Sequence, residues 1–246
     1  MKNYKTGIQL YTVREALGED FKGTMAKLAK LGCDGVEFAG NNSGMNPEEL
    51  KSFLDDLGLQ ACGWHTSLED IGNADSDVYQ YAKALGFKYV TTSLCGKVES
   101  EWLETIEQVK VAAKVAKDQG LQFTYHNHAQ EFQKIDGEYA LDLLYAATDP
   151  EEVKAELDTY WVKKGGEDPA SYLRKYADRL PQIHMKDMDG DSGTFVALGT
   201  GSIDFDSVKE VAIAANSEWL IYEQDSCGDR DVMECAAQSI QFINQL

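Results

Sequence analysis

The sequence repeats one unit eight times: a short apolar strand, a polar loop and an amphipathic helix, usually ending at glycine. Eight such units in 246 residues, with no linker or low-complexity break, predict a single-domain (β/α)₈ TIM barrel spanning residues 1–246. The predicted strands are residues 7–14, 35–39, 60–65, 88–94, the opening of 121–131, 153–158, 182–186 and 219–225. The predicted helices are residues 21–31, 47–57, 75–85, 100–119, 138–147, 170–179, 206–215 and 231–245.

Local signals support these boundaries. Gly32 follows the first helix and suits its end, because glycine adopts the left-handed conformation without a Cβ clash. Asn46, Pro47 and Glu49 form the pattern of a capping box with proline at the first helical position. The alternative fold, a doubly wound sheet, would carry a G-x-G-x-x-G loop after strand one, but residues 9–14 read QLYTVR instead.

The composition excludes several function classes. Asp and Glu outnumber Lys and Arg by 42 to 23, which gives a formal charge of −19. Such a surface repels polyphosphate, so nucleic acid is not an expected partner, and the charge argues strongly against the alternative of an abasic-site nuclease, which needs a basic groove. No apolar run approaches the ~20 residues of a membrane helix. The five cysteines include no C-x-x-C pair, and Cys33, Cys62 and Cys95 are expected in the core. They therefore do not indicate a disulfide or zinc framework, and we expect the protein to lie in the reducing cytoplasm.

Polar groups stand where the predicted strands end, and all four histidines are among them. In a TIM barrel these ends form one face, where the active site lies. Buried charges are unfavourable by several kcal/mol unless they are paired or bound to metal, so their convergence predicts a site. Its members by strand end are Gln9, Tyr11, Glu37, His65, His126, His128, Asp158, His184, Lys186, Glu223 and Asp225.

Imidazole and carboxylate ligands together favour a divalent ion such as Mn²⁺, Zn²⁺, Co²⁺ or Fe²⁺. The alternative is that these groups bind one another and the substrate without metal. His126 and His128 lie two residues apart and share a strand face, so parity does not choose between them. The predicted ligands come from the last four strands, with Glu131 in reserve: His126, Asp158, His184 and Glu223.

The remaining polar residues have predicted roles near the metal. His128 would be a general acid or base with a pKa close to working pH. Lys186 shares a face with His184 and would hold an oxyanion or phosphate, or else pair with Asp158, Asp187 or Asp225. Glu156 has the parity of Asp158 but lies deeper, so we expect it behind the site.

Substrate contacts are predicted for Gln9, Glu37, His65, Trp161 and Asp225. Glu37 and His65 would bind hydroxyl groups or, alternatively, pair and brace the barrel mouth. Trp161, beside a Gly165-Gly166 loop, would stack on a sugar face as part of a lid or belong to a core wall. A phosphorylated substrate is less favoured than a neutral one, because residues 199–202, GTGS, give only a weak phosphate-loop signal.

Six segments in order, GIQLYTVRE, GCDGVEFAG, YHNHAQEF, ELDTYWVKKGGEDP, IHMKD and IYEQD, resemble the xylose isomerase-like sugar phosphate isomerase/epimerase barrels over essentially the whole chain. The resemblance implies a divalent metal held by an acid on strand five, an aspartate on strand six, a histidine on strand seven and a glutamate on strand eight. Asp158, His184 and Glu223 match the last three. Strand five departs from the pattern, because His126 or the later Glu131 stands in place of the family's glutamate.

That departure bears on mechanism. In the family's epimerases two facing metal-bound glutamates move a proton between the faces of a carbon beside a carbonyl. Members with YHNH resemble instead enzymes acting on keto sugars, inosose-like cyclitols or 3-keto-glycosides, with histidine carrying the proton.

We therefore predict a metal-dependent isomerase/epimerase-type enzyme that abstracts a proton α to a sugar or keto-sugar carbonyl and stabilises an enediolate. His128 and Glu223 would be the acid/base pair, and Lys186 an oxyanion donor. The alternatives are a lyase or dehydratase acting on a 3-keto-glycoside or inosose-like substrate, and a non-catalytic carbohydrate-binding barrel. A homodimer is a further possibility.

Overall fold

Eight parallel strands close into a barrel in the computed structural model, which describes residues 4–40, 42–93 and 101–246. Neighbours in the barrel are neighbours in sequence, and strand eight closes on strand one through parallel pairs from Lys5–Trp219 to Ile8–Tyr222. The predicted (β/α)₈ barrel is confirmed. Barrel strands one to eight are Lys5–Gln9, Gly35–Phe38, Gln60–His65, Tyr89–Thr92, Gln122–His126, Val153–Asp158, Gln182–Met185 and Trp219–Tyr222.

Helices connect the strands around the outside of the barrel. The capping box predicted at Asn46 and Glu49 is present, and Gly58 ends that helix in the left-handed conformation with φ 69°. No helix in the described part of the chain is long and apolar enough to cross a membrane. The α-helices are Arg14–Glu19, Phe21–Lys30, Pro47–Leu57, Leu68–Gly72, Asp77–Leu85, Trp102–Asp118, Ala140–Ala146, Thr159–Lys164, Pro169–Lys175, Phe205–Ala215 and Val232–Gln245; the 3₁₀ helices are Leu10–Val13, Gln130–Phe132 and Ala177–Arg179.

Several predicted boundaries were wrong at the active-site end of the barrel. Strand one ends at Gln9 because its side-chain oxygen accepts the N–H of Tyr11 and starts a 3₁₀ helix. Strand eight ends at Tyr222, three residues earlier than predicted. A helix, Thr159–Lys164, replaces the loop predicted after strand six, since Asp158 caps it by accepting the N–H of Trp161 at 2.9 Å.

Two antiparallel hairpins were also absent from the prediction. One pairs Lys134–Ile135 with Glu138–Tyr139 and shortens the predicted fifth helix to Ala140–Ala146. The other pairs Asp187–Met188 with Phe195–Val196. Cys33 and Cys62 are buried free thiols, as predicted, whereas Cys95 lies outside the described residues together with the predicted end of strand four.

The barrel interior is polar towards the carboxyl ends of its strands. Along strand six, Leu157 belongs to the apolar core, while Glu156 and Asp158 pair in register with Gln182 and His184 of strand seven. All four of these polar residues are fully buried. Because strand side chains alternate between faces, this pattern directs a set of ionisable groups into the barrel.

Candidate active site

All four histidines meet at the carboxyl ends of the strands. The ring centroids of His126 and His184 lie 4.5 Å apart, and His65 lies 5.3 Å from His126 and 5.5 Å from His184. His128 completes the group at 5.0 Å from His126. The structure therefore brings the four histidines together at the barrel face where the sequence predicted them.

One group of potential ligand atoms, here called the upper cluster, consists of the predicted set. Its ligand atoms lie within 4.8 Å of one another. His126 Nε2 lies 3.5 Å from Asp158 Oδ2 and 3.7 Å from Glu223 Oε2, and His184 Nδ1 lies 2.9 Å from Glu223 Oε2. The upper cluster is His126, Asp158, His184 and Glu223, all buried.

The atoms of the upper cluster fit a divalent ion. Two donors on one tetrahedral ion with bonds of about 2.1 Å lie about 3.4 Å apart, close to the two longer separations. Both ring nitrogens of His126 and Asp158 Oδ2 are buried and find no hydrogen-bond partner within the described ranges. Burial, and then the charge of His184, lower the pKa of His126, which favours the neutral imidazole that a metal requires.

A second group, here called the lower cluster, lies behind the first and shares His184 with it. His184 Nε2 lies 2.7 Å from Glu37 Oε2, and His65 Nε2 lies 2.6 Å from Glu156 Oε2. These are hydrogen-bond lengths, shorter than the separation of two donors on one ion. The lower cluster is Glu37, His65, Glu156 and His184.

Glu131, the predicted reserve ligand, lies apart from both clusters. Its Oε1 accepts the hydroxyl of Tyr125 at 2.9 Å, and its Oε2 accepts the N–H of His128 at 2.9 Å. The side chain is fully buried, and burial raises its pKa. Glu131 therefore supports the turn that carries His128, and among the described residues no hydrogen bond or ion pair joins its carboxylate to the upper cluster.

His128 follows strand five and lines the mouth of the barrel. Its ring lies 5.0 Å from that of His126 and 5.1 Å from that of Trp161, centroid to centroid. Burial, together with the nearby His126, lowers the pKa of His128 to about 3. The predicted pKa close to working pH is therefore corrected: in this environment His128 is a neutral imidazole at pH 7.

Lys186 is buried against the carboxylates at the end of strand eight. Its Nζ lies 2.9 Å from Asp225 Oδ1, 3.1 Å from Glu223 Oε2 and 3.6 Å from Asp158 Oδ2. Burial alone would lower the pKa of Lys186, but Glu223, Asp158 and Asp225 raise it above its ordinary value. The ammonium thus balances charge beside the upper cluster, and of the predicted pairings those with Asp225 and Asp158 are present.

Trp161 lies on the short helix after strand six rather than in a loop. Its ring is 5.1 Å from Lys186 Nζ and 5.7 Å from the ring of Phe195. The indole N–H is buried and has no partner among the residues described. Trp161 belongs to a partly buried aromatic wall beside the site, and it is not among the residues that line the pocket.

A pocket of about 410 Å³ opens above the upper cluster, within the roughly 300–1,000 Å³ of small-molecule sites. Glu37 does not reach it, which corrects its predicted substrate contact. Its carboxylate is fully buried below the floor, where it accepts Gln9 Nε2 at 2.8 Å. Ala39 and Ser93 were missed, since neither has a side chain that signals chemistry. The lining residues are Gln9, Tyr11, Ala39, His65, Ser93, His126, His128, Glu223 and Asp225.

The backbone N–H groups of the loop at residues 199–202, which weakly resembles a phosphate-binding loop, are bound by a carboxylate of the chain itself. Buried Asp187 accepts the N–H groups of Gly199 at 3.1 Å and Gly201 at 2.9 Å through Oδ2. Its Oδ1 accepts those of Met188 at 2.8 Å and Ile203 at 3.3 Å. These donors are therefore satisfied within the chain, which explains the glycine pattern without a bound phosphate.

Replacing Asp187 with asparagine should destabilise the protein by about 3 kcal/mol, because an amide nitrogen would face N–H donors that need an acceptor. For a chain of this size that corresponds to a Tm lower by roughly 6–12 °C, measured by thermal denaturation. Asp189→Asn is the control, since this half-buried residue accepts backbone N–H groups through one oxygen, which the amide oxygen can still replace. An unchanged Tm in Asp187→Asn would contradict the interpretation.

Comparisons with known proteins agree with this fold. A family profile described as "Xylose isomerase-like TIM barrel" matches residues 25–246. An inosose dehydratase from Clostridium beijerinckii is 26% identical over 247 residues, covering 83% of this chain and 82% of that protein. A crystal structure of a sugar phosphate isomerase/epimerase from Parabacteroides distasonis aligns with a TM-score of 0.80 at 23% identity, covering 97% and 93% of the two chains. A probable 3-DHS dehydratase from Bacillus anthracis aligns with a TM-score of 0.78 at 12% identity, covering 98% of each chain.

Proposed function

Because this chain belongs to the xylose isomerase-like TIM-barrel family, we propose that it is a metal-dependent enzyme acting beside the carbonyl of a keto-sugar or cyclitol. The reaction begins with removal of the proton on the α carbon and ends with loss of a β-hydroxyl group as water. The substrate is a small neutral molecule, consistent with the formal charge of −19 and with the occupied Gly199 loop.

The upper cluster would hold the ion through His126, Asp158, His184 and Glu223. When bound, a divalent ion supplies Lewis acidity for the negative charge that develops on the carbonyl oxygen. Lys186 adds a fixed positive charge beside Glu223 and Asp225, and so favours the same charge development.

His128 is proposed to move the proton. Its imidazole lines the pocket beside His126 without being a member of the upper cluster. The C–H bond breaks as His128 takes the proton, and the electron pair moves towards the carbonyl to give an enolate. When the carbonyl re-forms, this pair makes a C=C bond between the α and β carbons, and the C–O bond to the β-hydroxyl breaks. The imidazolium returns the proton to the departing hydroxyl, so water leaves and the carbonyl is retained.

The position of Glu131 is the observation that favours elimination over epimerisation. Two-glutamate epimerisation needs a carboxylate from strand five opposite Glu223, whereas here Glu131 is held by Tyr125 and His128. The similarity to inosose dehydratases supports the same choice. Epimerisation is the second candidate, because His128 and Glu223 line the pocket from two different strands and would reach two faces of a substrate.

The test is incubation of the zinc- or manganese-loaded protein with an inosose and with a panel of keto sugars in D₂O, followed by NMR and mass spectrometry. We expect loss of one water per molecule and deuterium at the α carbon of the remaining substrate. Deuterium incorporation with a new diastereomer and no water loss would indicate epimerisation. A protein that binds these compounds and exchanges no proton would be a carbohydrate-binding barrel.

A further inference from the structure

We propose that Glu37 is a positioning residue that fixes the orientation and tautomer of His184. Its carboxylate accepts the Nε2–H of His184 and thereby turns Nδ1 towards the upper cluster. The inference rests on the metal site of the proposed function and adds to it a residue that contacts neither the ion nor the substrate. Metal-bound histidines are commonly held in this way by a carboxylate on the opposite ring nitrogen.

His184 has a carboxylate at each ring nitrogen. Nδ1 lies 2.9 Å from Glu223 Oε2, and Nε2 lies 2.7 Å from Glu37 Oε2. Only a ring nitrogen without a proton can bind a metal, and a neutral imidazole has one such nitrogen. If Nδ1 binds the ion together with Glu223, Nε2 must carry the proton, and Glu37 is the nearest acceptor.

The carboxylate of Glu37 is itself held in place. Gln9 Nε2 donates to the same Oε2 at 2.8 Å, while Gln9 Oε1 accepts the N–H of Tyr11 at 3.0 Å. A Cβ atom on Gly63, which pairs with Glu37 in strand three, would lie 2.9 Å from Glu37 Oε1. The absence of that atom leaves room for the buried carboxylate, and the direction of the acceptor is fixed before any ion binds.

Glu156 offers a matched comparison. It is as completely buried as Glu37 and belongs to the same lower cluster. Its Oε2 lies 3.3 Å from His184 Nε2 but only 2.6 Å from His65 Nε2. Removing either side chain therefore removes a buried carboxyl group near the metal, but only removal of Glu37 takes away the close hydrogen-bond acceptor of His184.

The experiment measures zinc affinity by chelator competition for the wild type and for Glu37→Leu, Glu37→Gln and Glu156→Leu, with folding checked by circular dichroism. We expect Glu37→Leu to bind zinc 10–100-fold more weakly. Glu37→Gln, which keeps an acceptor oxygen, and Glu156→Leu, which keeps Glu37, should each lose only a few-fold. Equal losses in all three variants would mean that charge alone matters, and would overturn the proposal.

A second measurement needs no variant. In the zinc-loaded wild type, ¹⁵N NMR of the four histidines should show a protonated Nε2 and a zinc-bound Nδ1 for His184. A zinc-bound Nε2, or a second zinc equivalent held through Glu37, would overturn the positioning role while leaving a metal enzyme intact. A wild type that binds no zinc would instead overturn the proposed function and this inference with it.

Discussion

The His126→Ala variant is expected to lose its bound divalent ion, whereas Glu131→Gln is expected to keep it. Both residues lie on or just after strand five, and both are candidates for the ligand from that strand. His126 has two buried ring nitrogens that lack partners in the described chain, while each oxygen of Glu131 accepts a hydrogen bond. Elemental analysis of protein purified without chelator or metal-affinity tag gives the answer directly.

Asp158→Asn and Glu223→Ala extend this test to the other side of the cluster. Asparagine keeps the oxygen that caps the helix at Trp161 but removes the charge, so the variant should remain folded while its metal affinity falls. We expect losses larger than the 10–100-fold typical of residues behind a metal ligand. About one equivalent of metal retained in His126→Ala, with loss in Glu131→Gln, would show that the ligand from strand five was misassigned.

The sequence was sufficient for the barrel and for the convergence of the site because both follow from simple periodicities. Apolar strands alternating with amphipathic helices specify the order of elements. The rule that parallel strands end at one face of a barrel then brings His65, His126, Asp158 and His184 together, as observed. None of this depends on the direction in which an individual side chain points.

The errors arose where direction and depth matter. Glu37 stands near a strand end, but its side chain turns below the floor, where Gln9 and His184 hold it. Glu131 lies five residues beyond the end of strand five, and the 3₁₀ helix Gln130–Phe132 sets its direction. The helix Thr159–Lys164 has only six residues, which is too few to show a helical pattern in the sequence. Its start depends on the cap from Asp158. The periodic pattern of apolar residues in a short stretch of sequence does not reveal such tertiary contacts.

His128→Ala is expected to lower α-proton exchange by roughly 10²–10⁴-fold while leaving the metal content unchanged. The reason is that the upper cluster is complete without His128, whereas the pocket places its imidazole beside that cluster. The measurement is deuterium incorporation into the substrate, recorded for wild type and variant at matched zinc occupancy, so that lost chemistry is separated from lost metal.

Added imidazole provides the control for the same variant. Replacing His128 with alanine leaves space beside a pocket of about 410 Å³, and free imidazole in that space should restore part of the exchange if a neutral ring is the proton acceptor. The rescue should require an unprotonated imidazole and should not alter the zinc content. A His128→Ala protein that loses zinc in proportion to exchange, and that imidazole does not rescue, would make His128 a ligand and transfer the role of base to Glu223.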